Sequence, residues 1–227
     1  MVQGGVVLNT QNDWLDAEGN KILGDRRRFQ FAHVDGDTII DVTIRLDATN
    51  GDVTFGDTKE GTLGVRVAGT LKVDAKKINP TLGGKVINAE GLQNAAAWSQ
   101  ESDWVDYSGP LLPKQFTDGS KTMSSEQLLS EQLLSTPLDQ GGITMMYHPG
   151  SDLPECRWHV RTYGLFAANP FGRRHFGLDK YDGVTIKNED SLSLNFRVVL
   201  HDGAFDESKT LRHYSEFSSV PAARIEE

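Results

Sequence analysis

Alternation of apolar and polar residues runs through much of this chain and predicts β-strands. From Ile40 to Leu46 every second residue is apolar, which is the two-residue period of a strand with one buried face. Ser191 to Leu200 repeats the pattern with Leu192, Leu194, Phe196, Val198 and Leu200. Further strands are predicted at 63–73, where Leu63, Val65, Val67, Leu71 and Val73 alternate, and around Phe29 and Phe31.

Turn signals separate these strands. Asp35-Gly36 and Asn50-Gly51 are hairpin-type pairs, Asp202-Gly203 follows the last strand, and the chain holds 23 glycines. Half-buried strands need a facing sheet to cover their apolar side. The pattern therefore predicts an all-β fold, an antiparallel two-sheet β-sandwich formed by residues 1–227 as a single domain.

A polar region at about 113–142 interrupts the alternation. It contains the near-duplication Ser125–Leu129 and Ser130–Leu134, both of which read Ser-Glu-Gln-Leu-Leu. Leu129 and Leu133 lie four residues apart, as on one side of a helix, and Pro137 would end that helix. We expect one short helical insertion between strands, with a lid over a site as the alternative to a tolerated surface expansion.

Arg157–Tyr163 carries the clearest chemical signal. At strand periodicity Arg157, His159, Arg161 and Tyr163 share one face, whereas Trp158 and Val160 share the apolar one. Two guanidiniums, an imidazole and a phenol in a row suit an oxygen-rich or anionic ligand. An ordinary solvated strand face is the alternative interpretation.

Composition narrows the class of partner. Hydrophobic residues make up 37% and charged residues 24% of the chain, and no apolar run approaches the roughly 20 residues of a membrane-spanning helix. The net charge of −9 disfavours a nucleic-acid partner. Cys156 is the single cysteine and is expected to be structural. Residues 1–5 lack the features of a secretory signal, and the compartment stays open.

Aromatic and acidic residues elsewhere suggest a carbohydrate ligand. Trp104, Asp106 and Tyr107 combine rings with a carboxylate, as sugar sites do because a pyranose offers both an apolar face and hydroxyls. His148 ends an apolar strand and, with His159, offers two nitrogen ligands for a divalent metal ion, although no third ligand follows from the spacing. No nucleophile elbow or phosphate-binding loop is present.

Several longer runs resemble the bacterial domain family labelled "methane oxygenase PmoA-like". The resemblance covers about residues 9–217. Its motifs are Asp52–Arg66, Asp103–Gly109, Trp158–Arg161, Tyr163–Gly172 and Arg197–Gly203.

The resemblance implies a soluble domain similar to galactose-mutarotase-type supersandwiches, from bacteria rich in polysaccharide degradation. Methane oxidation is not expected, because the membrane subunit of that name has many spanning helices and this chain has none in its sequence. The family's polar motifs fall on ten positions, which are Glu60, Arg66, Trp104, Asp106, Tyr107, His148, His159, Arg161, Tyr163 and Asn169.

These positions yield two hypotheses. In a carbohydrate-acting enzyme, His159 and His148 would transfer protons or bind a metal ion, with Glu60 or Asp106 as a second acid or base. Six residues would bind substrate, with the arginines on its oxygens and the rings stacked on the sugar, namely Arg66, Arg161, Trp104, Tyr107, Tyr163 and Asn169. A noncatalytic glycan-binding sandwich would use the same face.

Two structural expectations complete this picture. The side chains of His159 and Arg161 should point the same way into a concave face that His148 and at least one of Glu60 or Asp106 also line. PmoA-like domains also carry an upstream histidine-rich motif that this sequence lacks before Asn9, so the chain is expected to begin partway into the domain. We therefore expect an uncovered edge strand or sheet face and self-association into a homo-oligomer.

Overall fold

The fold is built almost entirely from antiparallel strands. A computed structural model of the chain describes residues 5–77, 79–112, 137–179 and 181–226. Of these residues, 45% lie in strands and 14% in helices. The strands are β1 Val6–Leu15, β2 Lys21–Val34, β3 Asp37–Asp47, β4 Val53–Phe55, β5 Leu63–Arg66, β6 Lys85–Asn88, β7 Trp104–Leu111, β8 Asp139–Tyr147, β9 Arg157–Val160, β10 Leu165–Asn169, β11 Val184–Ile186 and β12 Ser191–Asp202.

The strands form one large sheet and two small ones within the described residues. The seven-stranded sheet has the order β1-β2-β3-β12-β8-β7-β6, the three-stranded sheet β5-β10-β9 and the two-stranded sheet β4-β11. One face of the large sheet packs on both small sheets. Phe196 and Val105 from the large sheet share this core with Trp158 and Phe166 from the three-stranded sheet. The predicted all-β sandwich is confirmed.

The turns and most strands follow the sequence pattern. Asp35 and Gly36 form the two-residue turn between β2 and β3 with φ values of 51° and 85°, the left-handed conformation that such hairpins require. β3 and β12 pair along ten residues, from Ser191 opposite Asp47 to Leu200 opposite Thr38. Their even-numbered residues face the core, as the alternation predicts.

The predicted strand over 63–73 is correct only in its first part. β5 ends at Arg66, and the chain continues as two 3-10 helices, Gly69–Leu71 and Val73–Lys77. Leu71 and Val73 are buried in these helices. Both residues contact the core from short helical turns. Over so few residues, a spacing of two does not distinguish such turns from a strand.

The one α-helix of the described residues, α1 Glu207–Ser218, was not predicted. Asp206 caps it by accepting a hydrogen bond from the Lys209 backbone N–H at 3.0 Å. α1 lies on the outer face of the large sheet, where Phe217 packs with Trp104 and Met146. The predicted insertion helix falls within 113–136, outside the described residues, and β8 begins at Asp139, inside the predicted insertion.

Candidate functional site

The β9–β10 hairpin positions the residues singled out in the sequence. Trp158 and Val160 face the core, and His159 lies on the opposite, outer face of the three-stranded sheet. β9 ends at Val160, and a tight turn follows in which Gly164 donates to the Arg161 carbonyl at 2.9 Å and has a φ of 98°. Tyr163 therefore lies at a hairpin tip, not on the predicted strand face.

Two arginines and two aromatic rings meet at this turn. The guanidinium carbon of Arg161 lies 5.3 Å from the centroid of the Trp98 ring and 5.7 Å from that of Tyr163. Arg66, from the end of β5, lies 5.6 Å from the Tyr163 centroid. Such distances are those of cation–π contacts. We call Arg66, Trp98, Arg161 and Tyr163 the arginine–aromatic platform.

The platform faces solvent. Tyr163 is 44% exposed, Arg66 is exposed, and Trp98 and Arg161 are half-buried. Neither arginine has a hydrogen-bond or ion-pair partner within the described residues. Trp98 packs edge-on against Phe176 at a centroid distance of 6.0 Å. The platform is thus an open surface on which a flat apolar face and oxygen atoms could both bind.

His159 borders the platform but is 6% exposed. Its ring contacts Phe176 at 6.4 Å between centroids, and its Nδ1 has no hydrogen-bond partner in the described structure. Burial lowers the pKa of His159 below its usual range, although the neighbouring Glu60 carboxylate favours the charged form. His159 is therefore a neutral imidazole near an exposed carboxylate at physiological pH.

Asn169 supports the loop that carries Glu60. Its buried side chain donates from Nδ2 to the Thr58 carbonyl at 2.9 Å and accepts hydrogen bonds from the backbone N–H groups of Phe171 and Gly172, both at 2.9 Å. All the hydrogen bonds described for this amide thus go to backbone groups. Asn169 was predicted to bind substrate, but these contacts show that it positions the 57–60 loop beside His159.

Tyr107 supports the platform from below. Its side chain is fully buried in the core, and its Oη donates towards the carbonyls of Arg161 and Thr162 at 3.2 and 3.1 Å. The backbone N–H of Val73 donates to the same oxygen at 3.1 Å. Tyr107 therefore cannot stack on a sugar as predicted, but it fixes the backbone of the turn that presents Arg161 and Tyr163.

Three other predicted residues lie on the opposite side of the sandwich. His148, Asp106 and Trp104 point to the outer face of the large sheet, near α1. Trp104 is 2% exposed and packs against Met146. The expected convergence of His148 with His159 and Arg161 on one face is wrong, because His148 lies on the outer face of the large sheet, whereas β9 and the turn after it lie beyond the core on the other side.

His148 and Asp106 are each held by local partners. His148 Nε2 donates to the Val220 carbonyl at 3.0 Å while Nδ1 accepts from Gly150 N–H at 2.9 Å. Burial lowers the pKa of His148, so this imidazole is neutral. Asp106 is fully buried and accepts three hydrogen bonds, from Ser108 Oγ at 2.6 Å, Thr144 Oγ1 at 2.8 Å and His201 Nε2 at 2.8 Å.

Metal binding by the His148–His159 pair is excluded by this separation, since the two rings lie on opposite sides of the sandwich. Among the described residues no group of three or more histidine, cysteine or acidic side chains could hold a metal ion.

Cys156 is buried, and burial raises the pKa of its thiol, consistent with the structural role expected. Over the described residues, the helices are too short or too polar to span a membrane.

Sequence reasoning missed a second group of polar residues, on the outer face of the large sheet. Ser193, Asn195 and Arg197 of β12 alternate with apolar core residues and would be expected to face solvent, yet each is buried. For Arg197, the signal that could have revealed this is the helical pattern of 207–218, because α1 covers this side chain through the His213 carbonyl and the Phe217 ring.

This chain belongs to the family of unknown function DUF6807, whose model matches residues 2–215. A search of curated proteins found no match. The resemblance to PmoA-like domains is tested by neither result and stays a prediction.

Proposed function

We propose that this protein binds carbohydrate at the arginine–aromatic platform, with a preference for chains that contain acidic sugars. The observation that carries the proposal is the Arg161 guanidinium between the rings of Trp98 and Tyr163, beside Arg66. An exposed tyrosine ring offers a face for a pyranose, and two arginines without a carboxylate partner in the described residues offer forked donors for a uronate carboxylate.

The openness of the surface favours binding over catalysis. Tyr163 stands at a hairpin tip, and two residues assigned to proton transfer, His148 and Asp106, lie on the far side of the sandwich. An enzyme of this class would need two titratable groups on either side of the reacting bond. A binding surface needs only rings and donors held in place, which Tyr107 and the Gly164 turn supply.

Isothermal titration calorimetry with neutral and uronic-acid oligosaccharides tests the proposal. Arg161→Ala and Tyr163→Ala should each weaken binding at least tenfold, whereas Tyr163→Phe, which keeps the ring, should retain most affinity. Arg212→Ala, an exposed arginine of α1 on the other side of the molecule, is the matched control. Equal affinity in Arg161→Ala and Arg212→Ala, or no binding of any oligosaccharide, would exclude the platform as the site.

A carbohydrate-modifying enzyme is the second candidate, and one observation favours it. His159 has an unpartnered buried Nδ1 and lies near enough to Glu60 for the carboxylate to favour its protonation. These two residues would then exchange a proton with a sugar bound on the platform. Oligosaccharides that bind should be incubated with the protein and examined by mass spectrometry. Turnover that His159→Gln abolishes while binding persists would establish catalysis.

A further inference from the structure

A cavity of about 220 Å³ lies on the side of the sandwich opposite the platform. Its floor is the outer face of the large sheet, with Arg28, Thr43 and Asn195 from three adjacent strands. Its roof is formed by Phe217 at the end of α1 and by the segment that follows the helix, residues 219–224. We call it the tail cavity.

Hydrogen bonds hold the roof in place. His148 donates to the Val220 carbonyl at 3.0 Å, and the Arg224 guanidinium pairs with Asp152 at 2.6 Å. Farther along, Arg45 donates to the Ile225 carbonyl at 2.7 Å. The space between roof and floor is therefore bounded by fixed groups on both sides, and it exceeds what a single buried water needs.

The floor presents donors that lack acceptors. Asn195 is 2% exposed, and its Oδ1 accepts from Thr43 Oγ1 at 3.0 Å, which identifies Nδ2 as the remaining donor. That Nδ2 has no hydrogen-bond partner in the described structure. Arg28 has neither a hydrogen-bond partner nor an ion-pair partner among the described residues. Arg28 is half-buried, whereas Asn195 Nδ2 is fully buried, and buried donors are ordinarily satisfied, so a missing acceptor is the simplest account of the free Nδ2.

The other charged groups around the tail cavity are already neutralised. Both carboxylate oxygens of Asp41 accept from Arg197, at 2.6 and 2.8 Å. His148 is uncharged because its Nδ1 accepts a hydrogen bond from a backbone N–H. Arg224 is paired with Asp152. The Arg28 guanidinium is thus the one uncompensated charge among these lining groups, and it is positive.

The roof is mainly apolar. Phe217, Val220, Pro221 and Ala223 line it. A ligand complementary to these walls carries one negative charge and acceptor atoms at one end and a short hydrocarbon part at the other. We propose that the tail cavity binds a small aliphatic monocarboxylate, with its carboxylate on Arg28 and Asn195 Nδ2. This inference is independent of the proposed function, since the two sites lie on opposite sides of the sandwich.

Calorimetric titration of the whole chain with butyrate and butyramide tests this proposal. Butyrate should bind and the isosteric neutral amide should bind at least tenfold more weakly, because only the acid matches the charge of Arg28. Arg28→Gln should weaken butyrate binding at least tenfold, and Arg28→Lys should lose less because it keeps the charge. Arg212→Gln, on the exposed side of α1, is the matched control and should leave affinity unchanged.

Two further measurements separate this site from the platform and from loss of folding. Thermal unfolding should show that Arg28→Gln is folded, as expected for a side chain without partners among the described residues. Tyr163→Ala should leave butyrate binding unchanged. No butyrate binding at millimolar concentration, equal affinity for acid and amide, or full affinity in folded Arg28→Gln would overturn the proposal.

Discussion

The pKa of each buried histidine depends on whether a carboxylate offsets the effect of burial. Burial lowers the pKa of His148 and His159 because no buried carboxylate compensates for it. For His201 burial acts in the same direction, but the hydrogen bond and charge of Asp106 outweigh it and raise the pKa. His148 and His159 therefore contribute stability that is lost as the pH falls below about 6.5. The contribution of His201 to stability has the opposite pH dependence, because it is lost as the pH rises.

Asp106→Asn should lower the pKa of His201 and destabilise the fold by about 2–3 kcal/mol, because the buried carboxylate accepts three hydrogen bonds. In the wild type, the His201–Asp106 pair contributes fully to stability below about pH 6.5, the pKa of histidine in the unfolded chain. This contribution is lost as the pH rises through the raised pKa of His201 in the folded protein. NMR titration of His201 and denaturation on both sides of neutral pH measure these effects.

Asp35→Asn is the matched control for that prediction. Asp35 also pairs with a cationic side chain, Arg212, but its side chain is 63% exposed. Exposed pairs contribute little to stability, so the control should change it by less than about 1 kcal/mol. An unchanged His201 pKa in Asp106→Asn would show that the carboxylate does not set its protonation.

Strand identity could be predicted from sequence, but the partners of each strand could not. The alternation in Arg157–Val160 correctly placed Trp158 in the core and His159 outside it. It failed at Tyr163, where Gly164 signals a turn that overrides the period. It also could not show that His148 and His159 lie on opposite sides of the sandwich, because that depends on which face of each sheet packs inward.

The β9–β10 turn depends on a phenol from another sheet. Tyr107→Phe should remove the hydrogen bonds to the carbonyls of Arg161 and Thr162, lower stability by about 1–2 kcal/mol and weaken oligosaccharide binding at the platform. Tyr107 does not reach the ligand, so the loss of affinity would arise from a less ordered turn. Calorimetry and thermal unfolding measure both quantities.

Tyr147→Phe separates these two effects. Tyr147 is another buried tyrosine of the large sheet, and its Oη donates to the Leu153 carbonyl at 2.6 Å, away from the platform. The Tyr147→Phe variant should lose a similar amount of stability, with no change in its affinity for oligosaccharides. If both variants bind equally well, Tyr107 stabilises the core without positioning the site.

At the scale of the whole molecule, the two small sheets cover only part of the large sheet among the described residues. In the part of the chain that the structure describes, β1 is an edge strand of ten residues, and Val6 and Leu8 on its inward face are 72% and 50% exposed. They pair with Phe31 and Phe29 of β2, which are only partly buried. An apolar, unpaired edge of this kind is a template for pairing with another chain.

The protein should therefore self-associate through β1 as its concentration rises. A variant carrying both Val6→Lys and Leu8→Lys should remain monomeric, because charges on an edge strand oppose pairing and remove the apolar contact. A variant carrying both Leu92→Lys and Leu211→Lys, at exposed leucines outside β1, adds the same charge and should associate like the wild type. Sedimentation velocity over a range of concentrations distinguishes these outcomes. A wild type that stays monomeric throughout, or a β1 variant that associates equally, would mean that β1 does not mediate assembly.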